Sequence, residues 1–146
     1  MTEKQKEAIN LFRSGFNCAQ SVFAVFSKEI GIKKEDCLKL TTVLGGGIAR
    51  TQQICGAVSG ALLVISYLNG KSEISDTSGK ERTYSSAKSF IDKFNNHFGA
   101  SNCLSLIEYD LNTEKGMNEA HNKNVFEEKC EKFILFSVLE IEENYL

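Results

Sequence analysis

The chain has 146 residues, of which 42% are hydrophobic and 25% charged, and this composition is typical of an ordinary globular domain. Its formal net charge of −2, with no basic run interleaved with aromatic residues, argues against a nucleic-acid partner. The longest apolar run, Ala61 to Leu68, falls far short of the roughly 20 residues that span a bilayer. The N-terminal segment is polar and unlike a signal peptide, so we expect a cytoplasmic protein with no membrane partner.

The first third of the chain has helical periodicity. The whole chain contains no proline and no convincing strand-like alternation. The apolar spacing predicts a helix over Glu3 to Arg13 and another over Cys18 to Ile30, capped by Asn17 and ended by Gly31. A third helix is predicted over Lys33 to Leu44.

The stretch from Gly45 to Gly70 organises the rest of the chain. Three glycines precede a helix predicted from about Thr51 to Asn69, with small residues in its first half. Its second half, Ala61 to Leu68, is apolar on nearly every face and is expected to be buried all round. Glycine inside a helix costs about 1 kcal/mol relative to alanine, so Gly56 and Gly60 indicate a neighbour that approaches closely. That neighbour is either another helix or a bound cofactor or substrate.

The second half of the chain alternates polar and helical segments. Residues 71–83 are predicted to form an exposed loop, and residues 110–124 a second polar connection. Helices are predicted over Tyr84 to Phe98, from Cys103 to Ile107, and over Val125 to Ile141. The fold is therefore predicted to be all-α, a single domain over residues 1–146 with roughly six or seven helices bundled around the central helix.

Five cysteines carry the candidate chemistry, and three of them, Cys18, Cys55 and Cys103, are predicted at helix starts. Unpaired N–H groups and the positive dipole end favour a thiolate there, so we expect these three to converge on one anionic centre. There is no Cys-x-x-Cys pair, which argues against a zinc ribbon, a thioredoxin motif or a ferredoxin motif. The alternative is that the cysteines pack as small hydrophobic residues.

Other residues are candidates for holding a ligand or cofactor. Arg50, just before the Cys55 helix, is either an anion- or thiolate-binding group or a solvated arginine. The two histidines, His97 and His121, are predicted to have structural or surface roles. The predicted cofactor-binding set is Gly56, Gly60, Arg50 and Gln20.

A set of short motifs runs through the chain in a fixed order. They are Gly-Phe-Asn-Cys-Ala-Gln-Ser-Val ending at Val22, Gly-Gly-Gly-Ile-Ala-Arg ending at Arg50, Cys-Gly-Ala-Val-Ser-Gly ending at Gly60, and Phe-Gly-Ala-Ser-Asn-Cys ending at Cys103, followed by Cys130. This set resembles the C_GCAxxG_C_C family, whose members have about this length and four characteristic cysteines and are described as redox-active. The resemblance implies that the family cysteines are Cys18, Cys55, Cys103 and Cys130, and that Cys37 is additional.

Two functional classes follow from these residues. In the first, the four family cysteines are the catalytic residues or metal ligands of a redox protein, which cycles between thiol and disulfide or holds zinc or an iron–sulfur cluster. Its partner is a redox protein or a small molecule not identified by the sequence. The alternative is a non-enzymatic helical module, a homodimer, that binds a small ligand or a protein while the cysteines only pack. A hydrolase or transferase has less support, because no Cys/His pair is placed by the sequence.

Overall fold

The computed structural model describes all residues from Met1 to Leu146, and it confirms an all-α fold. A 3₁₀ turn, Thr42–Leu44, follows the fourth helix, and a π-helical turn, Phe126–Cys130, precedes the last. The α-helices are α1 (Glu3–Arg13), α2 (Cys18–Ala24), α3 (Ser27–Ile30), α4 (Lys34–Thr41), α5 (Gly56–Asn69), α6 (Gly79–Phe98), α7 (Cys103–Ile107), α8 (Glu114–Asn122) and α9 (Glu131–Asn144).

Several helix ends follow from local side-chain chemistry. α1 has the predicted bounds and starts from a capping box at Thr2. The Asn17 side chain accepts a hydrogen bond from the Gln20 N–H at the start of α2. Gly31 and Gly99 end α3 and α6 with φ of 66° and 86°, a conformation that glycine adopts without a steric penalty.

Two predicted helices are interrupted in the structure. The helix predicted over Cys18 to Ile30 is divided into α2 and α3, and the Phe26 N–H bonds the Phe23 carbonyl at 3.1 Å in a tighter turn. The change of direction leaves both Phe26 and Ile30 fully buried. The helix predicted over Lys33 to Leu44 is α helical only to Thr41 and then tightens into the 3₁₀ turn.

The polar segment predicted over residues 110–124 contains a helix that the sequence reasoning missed. The Thr113 hydroxyl accepts a hydrogen bond from the Gly116 N–H at 2.9 Å and caps α8. Only Gly116 and Ala120 of this helix are buried, so its apolar stripe is too thin to be recognised in the sequence. The predicted exposed loop also ends earlier than expected, because α6 begins at Gly79.

The core lies where α5 packs against α2, α6 and α9. Phe90 and Phe94 of α6 are fully buried and contact Phe136 of α9 edge-on. The first turns of α5 are buried on all sides. Complete burial of its second half was a wrong prediction, since Tyr67 is 57% exposed and Leu63 and Leu68 are also exposed.

None of the helices combines the length and the apolar character needed to cross a membrane.

Candidate functional site

The four family cysteines line one cavity of about 360 Å³. All of them are free thiols. The fifth cysteine, Cys37, is buried elsewhere, with its thiol 3.7 Å from the carbonyl oxygen of Ile32. The structure therefore separates one cysteine from the other four. Those four are Cys18, Cys55, Cys103 and Cys130.

Close packing of α2 on α5 brings Cys18 next to Cys55. A β-carbon built on Gly60 would lie 2.8 Å from the Ala19 carbonyl oxygen, and one built on Gly56 would lie 3.2 Å from the Cys18 β-carbon. Both glycines are therefore required for the approach of α2. Between the two neighbours predicted for this glycine pair, the structure places a helix against Gly60, while Gly56 also borders the cavity.

A short backbone bridge brings Cys55 next to Cys103. Ile54 and Asn102 form an isolated antiparallel bridge. The Cys55 N–H donates to the Ser101 carbonyl at 2.8 Å, and the Cys103 N–H donates to the Gln53 carbonyl at 2.6 Å. The segment before α5 therefore cannot be helical, and the helix predicted from about Thr51 starts at Gly56, with Cys55 at its N-cap.

Cys130 reaches the cavity from the opposite side, at the end of the π-helical turn that leads into α9. Such turns are rare and are often found at functional sites. The next residue, Glu131, is only 8% exposed and accepts two hydrogen bonds from the Arg13 guanidinium, at 2.8 and 3.0 Å. Arg13 and Glu131 both line the cavity, so this ion pair forms part of its wall.

An unusual loop closes the side of the cavity before Cys55. Gly46, Gly47, Ile48, Ala49 and Arg50 have consecutive φ angles between 50° and 70°. For residues other than glycine this conformation costs roughly 1–2 kcal/mol each, and such strain is concentrated at functional sites in proteins. The loop is stabilised by backbone hydrogen bonds, such as that from the Ala49 N–H to the Val43 carbonyl at 2.8 Å.

Gln52 fastens this loop to the segment between α7 and α8. Its side chain is 5% exposed, donates to the Tyr109 carbonyl at 2.7 Å and accepts from the Leu111 N–H at 2.8 Å. It also lowers the pKa of Cys103, against the larger effect of burial, and its backbone carbonyl accepts a hydrogen bond from the Leu104 N–H at 3.2 Å. Gln52 therefore positions Cys103 relative to Cys55.

The predicted thiolate preference at the helix starts is wrong. Burial raises the pKa of Cys55 to about 12 and that of Cys103 to about 11. The pKa of Cys18 is raised well above the usual thiol value, first by its hydrogen bond with Cys130 and then by burial. The helix start acts in the expected direction at Cys55, where the Ala57 and Val58 N–H groups lower its pKa, but burial outweighs them.

The sulfurs of the cavity influence one another electrostatically. Negative charge on Cys130 raises the pKa of Cys18, Cys55 and Cys103. Because these thiols are largely buried, ionisation of one sulfur opposes ionisation of the others. The cavity thus favours a single negative charge over several.

The predicted ligand-binding residues divide into two groups. Gly56 and Arg50 line the cavity. Gly60 packs against α2 instead, and the Gln20 amide is used within the fold, where it donates to the Leu38 carbonyl at 2.9 Å and the Thr42 hydroxyl at 3.1 Å. Gln20 and Gly60 therefore lie outside the site, because both hold α2 in place.

Four ionisable residues at the cavity were not among the predicted site residues: Arg13, Glu127, Glu131 and His121. Charges at the end of α1 and at the start of α9 look like ordinary helix-end charges, so Arg13 and Glu131 carry no distinctive sequence signal. His121 lines the cavity because it lies on α8, which the sequence reasoning did not predict. His97 is exposed and stacks against Phe98 and Phe136.

The structure also bears on the predicted metal ligands. No group of three or more His, Cys, Asp or Glu side chains is arranged to hold a metal ion. The four cysteines share a cavity wall without forming a ready ligand set, so zinc or iron–sulfur ligation stays a prediction.

Comparison with known proteins gives one match. No curated protein and no solved structure has significant similarity to the chain. A family model described as "Putative redox-active protein (C_GCAxxG_C_C)" matches residues 16–144, which include all four cavity cysteines. The chain therefore belongs to the C_GCAxxG_C_C family.

Proposed function

We propose that this protein transfers electrons by thiol–disulfide exchange, with Cys130 and Cys18 as the exchanging pair. The observation that carries the proposal is that Cys18 and Cys130 line the same cavity, where Cys130 has the largest effect on the pKa of Cys18. A neutral thiol next to a thiolate stabilises its negative charge, and the thiolate is the form that attacks a disulfide. Cys130 is the attacking sulfur, and Cys18 is the sulfur that resolves the intermediate.

The reaction uses a disulfide-containing substrate as the oxidant. The Cys130 thiolate attacks one substrate sulfur, the substrate S–S bond breaks, and a mixed disulfide forms with release of one substrate sulfur. Once Cys130 is bound in the mixed disulfide, it no longer raises the pKa of Cys18, and the Cys18 sulfur attacks Cys130 and releases the second substrate sulfur. The protein ends with a Cys18–Cys130 disulfide, and the two protons of its dithiol pass to the substrate thiols.

The high pKa values of the other two thiols fit a supporting role. At pH 7 Cys55 and Cys103, with pKa values of about 12 and about 11, are protonated and poor nucleophiles. They line the cavity as neutral donors beside the exchanging pair. Because Cys55 and Cys103 stay protonated, the reacting sulfur is the one that carries negative charge in the cavity.

Trapping with glutathione disulfide tests the assignment. Reduced protein is mixed with glutathione disulfide without oxygen, free thiols are blocked, and the products are mapped by mass spectrometry. We expect a Cys18–Cys130 disulfide in the wild type and a stable glutathione adduct on Cys130 in Cys18→Ser. Cys37→Ala is the matched control, because Cys37 lies outside the cavity, and it should behave as wild type.

Two results would overturn the proposal. One is an adduct on another cysteine in Cys18→Ser, or a disulfide that does not join Cys18 to Cys130, in variants whose circular dichroism matches the wild type. The other is stoichiometric metal or acid-labile sulfide in protein purified without oxygen and lost when Cys130 is replaced. That second result would assign the four cysteines to metal ligation instead.

A further inference from the structure

The cavity is a suitable binding site for an apolar molecule. Between its thiols the wall is formed mainly by aromatic and aliphatic side chains, including Phe12, Ile107, Met117 and Phe126. Its volume of about 360 Å³ is within the range of small-molecule sites, roughly 300–1,000 Å³. A ligand there gains most of its affinity from apolar burial, so the few charged groups at the wall decide which molecules bind.

One of the cations at the cavity, Arg13, is already paired. Arg13 forms its two hydrogen bonds with Glu131, and this pairing, with a smaller contribution from the charge of Glu127, raises the pKa of Arg13. The His121 ring packs 4.9 Å from that of Phe126. With two carboxylates and one guanidinium, this part of the wall offers no free cation to a ligand.

Arg50 is different, because this exposed arginine is one of the residues that line the cavity and its side chain has no hydrogen-bond or ion-pair partner within the chain. Its backbone is nevertheless fixed: its N–H donates to the Gly45 carbonyl at 3.1 Å, and its carbonyl accepts from the Asn112 amide at 2.8 Å. The neighbouring Gly46 and Gly47 also line the cavity, and their N–H groups donate no hydrogen bond within the chain. The strained loop therefore presents an unpaired cation beside free N–H donors.

We propose that the cavity binds a molecule with an apolar body and one carboxylate, and that Arg50 pairs with this carboxylate. Glu127 and Glu131 with only one paired arginine, Arg13, give that part of the wall a net negative charge, which disfavours the ligand's carboxylate there and leaves Arg50 as its partner. This gives the ligand one preferred direction in the cavity.

Combined with the proposed thiol exchange, on which this step rests, the inference also names a substrate class: an apolar carboxylic acid that carries a disulfide. A cyclic five-membered disulfide acid such as lipoate has this chemistry. The Cys130 thiolate opens the ring by attacking one of its sulfurs, which forms a mixed disulfide. The Cys18 sulfur then attacks Cys130 and releases that ligand sulfur. The products are the dithiol acid, which takes both protons, and the Cys18–Cys130 disulfide.

Ligands without a disulfide test the binding step alone. Octanoate, octanamide and octylamine are titrated calorimetrically into the reduced full-length protein. A charge-assisted pair predicts that octanoate binds at least about tenfold more tightly than octanamide. Arg50→Gln should bring that ratio to about one, whereas the control Lys39→Gln, an exposed lysine outside the cavity, should keep it.

The inference is overturned if octanoate and octanamide bind equally, if octylamine binds most tightly, or if Arg50→Gln retains the preference for octanoate. Reduction of lipoate and of uncharged lipoamide then separates the two proposals. Arg50-dependent octanoate binding without reduction of lipoate supports the ligand class and refutes the disulfide acid as substrate, and the glutathione disulfide experiment then decides separately whether thiol exchange occurs. Equal reduction of lipoate and lipoamide, with and without Arg50, supports thiol exchange and refutes the role of Arg50.

Discussion

Replacing Gly60 with alanine sets two opposing effects against each other. Helix propensity alone favours the substitution by up to about 1 kcal/mol. In the structure, however, the new β-carbon would lie 2.8 Å from the Ala19 carbonyl oxygen and 3.2 Å from the Ala19 α-carbon, both of them backbone atoms of α2. Overpacking of this kind costs about 1–3 kcal/mol, and a helix backbone is less able to yield than a flexible side chain. We therefore expect Gly60→Ala to lower the free energy of unfolding by about 1–2 kcal/mol.

Urea unfolding followed by circular dichroism at 222 nm measures this change. Ser66→Ala is the matched control, because Ser66 lies on the exposed face of the same helix and its replacement should be neutral or slightly stabilising. Since α2 starts at Cys18, Gly60→Ala should also reduce the yield of the Cys18–Cys130 disulfide. A variant more stable than the wild type would refute the close-approach argument.

Two further predictions concern the buried polar groups of the site. A thiol whose pKa is raised by folding stabilises the fold below its unfolded pKa and loses this effect as pH rises through its folded pKa. The urea midpoint should therefore decrease as the pH is raised from about 9, the ordinary thiol pKa, toward about 12, the pKa of Cys55. The fall should be smaller in Cys55→Ala, and equal pH profiles for the two proteins would contradict this. Gln52→Ala leaves the Tyr109 carbonyl and the Leu111 N–H unpaired and should cost about 2–3 kcal/mol in urea unfolding. The exposed neighbour Gln53→Ala should cost much less, and equal losses would count against the role of Gln52.

The sequence by itself determined the parts of the fold that depend on local interactions. The absence of strand alternation gave the all-α class, and the apolar spacing of α1 gave its exact bounds. Asn17, Gly31 and Gly99 act within four residues of their own position, so their roles as helix caps are readable without a structure. The ordered motifs likewise singled out the four cysteines that line the cavity.

Tertiary structure alone decided how those cysteines behave. A helix start favours a thiolate locally, but the pKa of Cys55 depends on the apolar groups that other helices pack around it. The loop before Cys55 is also set by tertiary contacts. Local propensity predicts a helix there, but the Gln52 side chain bonds backbone groups that lie 57 and 59 residues away. The cavity has its charges matched around Arg13 and unmatched at Arg50 because segments distant in sequence meet there. Burial and long-range pairing depend on many residues that are distant in sequence, so the spacing of residues along the chain does not reveal them.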